Sequence, residues 1–162
     1  MSVGIFPGKF QPFHNGHLLV VKGMMTASSR VVIVVCHGEE MGPDDLFSKM
    51  QVQEMISSAL LSEDILDAEI VFVSDCDEDA EWADKVLEAA GWPEDGKVWS
   101  SSETVRALFE EIGKESQRVA PVPGIDGEEI RGWIKAGDTQ WRSKLPAGAI
   151  DTVQNLVDSK AA

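Results

Sequence analysis

The stretch RVVIVVC, Arg30 to Cys36, is apolar at every position after its first. A strand with one wet face alternates apolar and polar residues, so an unbroken run of this kind predicts a strand covered on both faces. Working outward, SVGIF (Ser2–Phe6) precedes it, and EIVFVS (Glu69–Ser74), KVWSS (Lys97–Ser101) and a weaker RVAPV (Arg118–Val122) follow. Most of the intervals are long enough for a helix. That alternation predicts an α/β fold: an open parallel sheet of about five strands joined by right-handed crossovers, with helices on both faces.

The intervals carry helical patterns. HLLVVKGMM follows Asn15, and FSKMQVQEMISSALL places Phe47, Val52, Met55, Ile56, Ala59 and Leu60 on one side. DAEWADKVLEAAG and ETVRALFEEIG end in Gly91 and Gly113, each suited to a helix C-terminus. GEEIRGWIKAG and PAGAIDTVQNLVDSKAA complete the set. No repeat, low-complexity segment or linker interrupts the pattern, and 162 residues with 43% hydrophobic composition suffice for one core, so residues 1–162 are expected to form a single domain.

Composition narrows the partners. The chain has no run near the roughly 18 apolar residues of a membrane span and no signal-peptide pattern at its start, which predicts an intracellular, cytoplasmic protein with no membrane partner. Cys36 and Cys76 are too few and too far apart for a disulfide framework or a CxxC motif, and read as reduced core thiols. A net charge of -14, from 28 acidic and 14 basic residues, argues against nucleic acid as a partner. A small phosphorylated ligand is compatible with it if the cations gather in one cleft.

GKFQPFHNGH, Gly8 to His17, is the stretch that carries chemistry. If the first strand ends near Pro7 and a helix begins at Asn15 or Gly16, the loop between them lies at the carboxyl edge of the sheet, where open α/β folds bind ligands. Gly8 allows close backbone approach and Pro12 stiffens the turn. Amides at the helix start favour an anion, and His14, His17 and Lys9 add donors and a charge directed at the same group. A Walker loop does not fit, because no Ser or Thr follows Lys9, and no GxGxxG is present. Zinc on the two histidines, supplemented by Cys36 and His37, and a pair of ordinary histidines, one buried and one capping, are the competing readings.

Gly8, Phe10, Pro12, His14, Gly16 and His17 match all fixed positions of GxFxPxHxGH, and the stretch resembles the first signature of the adenylyltransferase and cytidylyltransferase superfamily. VSDCDEDAEWADKV, SSSETVRALFEEIG and IDGEEIRGWIKAGDTQWRSKLPAGAIDTV extend the resemblance to archaeal-type nicotinamide mononucleotide adenylyltransferases over most of the chain. The resemblance implies a Rossmann-like, nucleotidyltransferase-type sheet, transfer of AMP from ATP to nicotinamide mononucleotide (NMN) with Mg2+, and a family that commonly forms homo-oligomers. It implies catalytic roles for His14, His17, Lys9 and Arg131. Gly8, Phe10, Gln11, Gly16, Ser101, Arg106 and Gly127 are the implied nucleotide-binding residues, Asp75 and Trp82 the implied acceptor contacts, and no protein metal ligand is implied.

Two of these residues have plainer alternatives. An indole face attracts a cationic pyridinium by about 0.5 to 2 kcal/mol, yet Trp82 also fits as a core residue of its helix beside Val86. Arg131 can grip the outer phosphates in a bidentate manner, or pair with Glu128 or Glu129 at the surface. The second signature, usually Ile-Ser-Gly-Thr-x-Ile-Arg, here carries Asp126 and Glu128 in place of the hydroxyls, and FSKMQVQEMI lacks the arginine that the related segment usually has. A carboxylate about 5 Å from a phosphate would repel it by roughly 3 kcal/mol at an effective dielectric near 20. Such carboxylates must turn away, hold a cation, or mark a different donor. A related transferase with another phosphorylated acceptor, and a nucleotide-binding module without turnover, are the alternative functions.

Overall fold

The computed structural model describes residues 2–74, 76 and 78–161. Its backbone clusters into two compact units, one of residues 1–9, 20–39 and 67–121, the other of residues 10–19, 40–66 and 122–162.

The first unit holds a parallel sheet of β1 (Ser2–Gly8), β2 (Ser28–Cys36), β3 (Ala68–Val73), β4 (Gly96–Ser100) and β5 (Glu115–Arg118), in the order β3-β2-β1-β4-β5. β1 is central: Ile5 pairs with Val32 on one side and Val98 on the other. The side chains of Val3, Ile5, Val32, Val34, Cys36, Val73 and Val98 share one buried face with Ala83, Val86 and Leu87 of α3 (Asp79–Ala89) and Phe109 of α4 (Glu103–Glu111). The other face is covered by the second half of α1 (Asn15–Ala27). There Gly4 makes room for the helix, since a Cβ on it would lie 2.8 Å from Met24 Cε and from Ser28 Oγ, and Gly23 passes beside the Trp99 ring. The five-stranded parallel sheet with helices on both faces follows the sequence reading.

One strand departs from it. RVAPV was expected to be the fifth strand, but β5 is ESQR, pairing Lys97 with Glu115 through Ser100 with Arg118. β5 lies at the sheet edge, where a partner on one side only removes the need for an apolar run. Val119 still donates its N–H to Ser100 O at 3.1 Å, and Pro121, which has no N–H, cannot continue the ladder.

The second unit is helical. α2 (Lys49–Ser62) opens with a capping box in which Ser48 accepts the Gln51 N–H and Gln51 accepts the Ser48 N–H. It buries Val52, Met55, Ile56, Ala59 and Leu60 and packs on α6 (Ala147–Ala161). α5 (Gly127–Ala136) is capped by Asp126 and ends at Gly137, whose φ of 75° is left-handed. A 3-10 helix (Gln140–Lys144), which the sequence pattern did not indicate, buries Trp141. Among the described residues, no helix is long and apolar enough to cross a membrane.

Candidate active site

His14 and His17 build the start of α1. The Leu18 N–H donates to His14 O at 3.1 Å, so His14 stands at the N-cap and His17 three residues inside. His14 Nδ1 accepts the N–H groups of Gly16 and His17 at 3.1 and 3.3 Å. In return, His17 Nδ1 accepts the N–H of His14 at 3.1 Å. This is the reciprocal arrangement of a capping box with imidazoles in place of a hydroxyl and a carboxyl. A ring nitrogen that accepts an amide N–H carries no proton, so each neutral ring holds its proton on Nε2. Capping thus fixes both tautomers with the proton on Nε2.

The rings stack, with centroids 3.6 Å apart and planes 14° apart. Phe10 is buried, with φ of 53°, and packs edge-on to His17, while Phe13 stacks on its other side. Gly16 is required by the stack, because a Cβ there would lie 2.9 Å from His14 Cε1 and 3.0 Å from Nδ1. Burial pushes His14 down to about 4, with Asp126 opposing and Arg131 adding to the fall. Burial, then the neighbouring His14 ring, holds His17 well below the usual histidine range. Both are neutral donors at pH 7.

α5 brings the second half of the cluster. Arg131 is half-buried, and its Nη1 donates to Gln11 O at 3.3 Å. A Cβ on Gly127 would lie 3.1 Å from Arg131 Nη1 and 4.0 Å from His14 Nε2. The bare face of Gly127 therefore opens on a spot that a charged guanidinium and a neutral N–H donor both reach, at the N-terminus of a helix. Those are the elements of an anion cradle. Asp126 does not point its carboxylate at that spot as a free charge: its Oδ1 accepts the Glu128 N–H at 3.0 Å. Its field still reaches His14. Glu128 and Glu129 are exposed.

Gln11 anchors the loop. It is buried, its Oε1 accepts the N–H groups of Leu46 and Phe47 at 2.9 and 2.8 Å, and its Nε2 donates to Phe47 O at 3.0 Å. With its side chain so occupied, Gln11 ties the histidine loop to the entrance of α2.

The other candidates belong to the first unit. Gly8 ends β1 opposite Val35, and Lys9, the next residue, is exposed. Ser101 is exposed between β4 and Ser102, the N-cap of α4. Arg106 is half-buried and donates from Nη1 to Ser100 O at 2.8 Å. Trp82 is half-buried on α3, packed against the core with its ring edge-on to Phe109 at 5.7 Å. Asp75 lies outside the described residues. Two features escaped the sequence reading: the mutual capping of the histidines, signalled only by their spacing of three, and Lys144, for which no spacing gave a cue. Among the described residues no group of three or more His, Cys, Asp or Glu could hold a metal ion.

An open parallel α/β sheet whose first strand feeds a helix opened by the paired histidines of GxFxPxHxGH is the pattern of the nucleotidyltransferase class. The chain belongs to the cytidylyltransferase-like family, whose model matches residues 5–119. It is 31% identical over 162 residues to the nicotinamide-nucleotide adenylyltransferase of Ignicoccus hospitalis, covering 94% of this chain and 91% of that one. It is 27% identical over 157 residues to the enzyme of the same name from Haloarcula marismortui, covering 94% and 81%. Among solved structures, a bifunctional NMN adenylyltransferase/ADP ribose pyrophosphatase from Francisella tularensis, complexed with AMP and a manganese ion, shares the fold with a TM-score of 0.81 at 20% identity. That match covers 99% of this chain and 53% of the other, so this chain spans about half the length of the bifunctional protein.

Proposed function

We propose that the chain transfers AMP from Mg-ATP to NMN, giving NAD and pyrophosphate. The observation that carries this reading is the convergence of His14 Nε2 and Arg131 Nη1 on the open face of Gly127. The relatives' shared activity supports NMN as the acceptor.

The reaction suits neutral histidines. An oxygen of the mononucleotide 5′-phosphate attacks the α-phosphorus of ATP, a P–O bond forms, and the bond to the β-phosphate oxygen breaks as pyrophosphate leaves. The attacking oxygen is already an anion at neutral pH, so no general base is needed. The protein has to align the phosphates and stabilise charge on the transferring and leaving groups. His14 and His17 donate from Nε2 to the transferring phosphate, held in aim by their capping bonds. Arg131 neutralises the outer phosphates, and Lys9 and Arg106 are proposed as further cations for the nucleotide. Mg2+ arrives as part of the Mg-ATP substrate and is coordinated chiefly by phosphates and water. Asp75 and Trp82 are proposed to receive the nicotinamide nucleotide.

The test is incubation of pure protein with Mg-ATP and NMN while NAD and pyrophosphate are followed together. Equal amounts of both products are expected. Calorimetric binding of ATP with no product would overturn the reading in favour of a nucleotide-binding module. Turnover with a different phosphorylated acceptor and none with NMN would move it to another transferase.

A further inference from the structure

Lys144 ends the 3-10 helix and is half-buried; it lies within the last stretch of the family resemblance but at none of its named positions. Among the described residues it has no hydrogen-bond or ion-pair partner. Its Nζ lies 3.7 Å from where a Cβ on Gly124 would stand. Gly124, with φ of 81°, follows Pro123 in a turn closed by the Ile125 N–H donating to Val122 O at 3.1 Å. Proline then left-handed glycine is the sequence of a type II turn. Ile125 in turn reaches the start of α1, its Cγ2 lying 3.6 Å from a Cβ position on Gly16. Two residues further along stands Gly127, beside His14 Nε2 and Arg131 Nη1.

We propose that Lys144 is a further phosphate-binding residue of this site, contacting the outer phosphates of the nucleoside triphosphate and the pyrophosphate that leaves. Two residues, Ile125 and Asp126, separate Gly124 from Gly127, at most about 11 Å of chain. A triphosphate whose inner end is seated in the cradle is long enough to span that distance toward Lys144. Charge gives a reason for the residue. α5 opens with Asp126, Glu128 and Glu129, and α2 presents no arginine in its first turns, where Val52 is instead fully buried. An ammonium with no competing partner, on the turn that leads into α5, offsets that acidic surround at the end where the leaving group's charge accumulates. Gly124 sets no side chain of its own against that ammonium.

This inference rests on the proposed nucleotidyl transfer, and direct binding separates the two. Mg-ATP, inorganic pyrophosphate with Mg2+, and AMP are titrated calorimetrically into wild type, Lys144→Met, Lys144→Gln and Lys144→Arg, with NAD formation assayed in parallel. Loss of one charge-assisted hydrogen bond predicts about tenfold weaker ATP and pyrophosphate binding in the Met and Gln variants, AMP affinity within about twofold, and recovery of most of the loss in the Arg variant. If pyrophosphate affinity is unchanged, or if AMP weakens as much as ATP, Lys144 is not an outer-phosphate contact. A wild type that makes no NAD yet shows the predicted split overturns the transfer reading and keeps this one. A wild type that binds neither ATP nor pyrophosphate overturns both.

Discussion

Each imidazole at the start of α1 has two nitrogens with separate tasks. Nδ1 satisfies helix amides, and the proton is thereby held on Nε2. Gly16→Ala would place a methyl 2.9 Å from His14 Cε1 and force the ring from its seat. Loss of one oriented donor is expected to lower kcat by about 100-fold, and the disturbed helix cap to cost about 0.5–2 kcal/mol of stability; full activity would show that the ring's aim is immaterial. The depressed His14 value also fixes a sign. An unfolded histidine gains its proton near 6.5 and the folded one near about 4, so the stability from the neutral ring is complete above 6.5 and is lost as pH falls toward 4. Between pH 6.5 and 5 this amounts to about 2 kcal/mol, and urea unfolding of wild type against His14→Gln should show it as a difference in slope. Because neutral rings donate, kcat/KM for ATP should have no alkaline limb near pH 6.5. A limb there that His14→Gln removes would mean that imidazolium is the working form. The sequence singled out the two histidines as candidates for the chemistry. It did not show which nitrogen keeps the proton, because that depends on backbone amides set by the helix start.

Helices and strands were legible where their own burial pattern is strong. β2 is covered on both faces and declares itself; β5 is an edge strand of four polar residues and does not. The 3-10 helix holds its place through buried Trp141, a tertiary contact with no periodicity to betray it. Asp126 is instructive in the same way. Read as a charge, it repels phosphate; in the structure it is the N-cap of α5, a position that favours Asp as much as Ser. The contact of α2 with α6 depends on Gly148, where a Cβ would come within 2.4 Å of the Ser58 carbonyl carbon. Backbone gives way less readily than a side-chain tip, so Gly148→Ala should destabilise the fold by about 1–3 kcal/mol in denaturant titration. Unchanged stability would mean that the two helices separate freely.

At the scale of the whole chain, a net charge of -14 accompanies a proposed site for anions. Long-range repulsion is screened beyond about 10 Å at 0.1 M salt, while contacts inside a cradle are screened much less. Raising salt from about 20 to about 200 mM should therefore leave kcat/KM for Mg-ATP level or raise it up to about threefold; a tenfold fall would show that a local positive field steers the nucleotide instead. The sequence by itself determined the α/β alternation and the strand-loop-helix that carries the histidines, because strand periodicity and helix starts are local and written in neighbouring residues. Tertiary structure alone decided that Gly127 opens between His14 and Arg131, that Gln11 is a tie to α2, and that Lys144 meets the turn at Gly124. Those pairs lie far apart along the chain, and their distances follow from packing that no spacing of residues encodes.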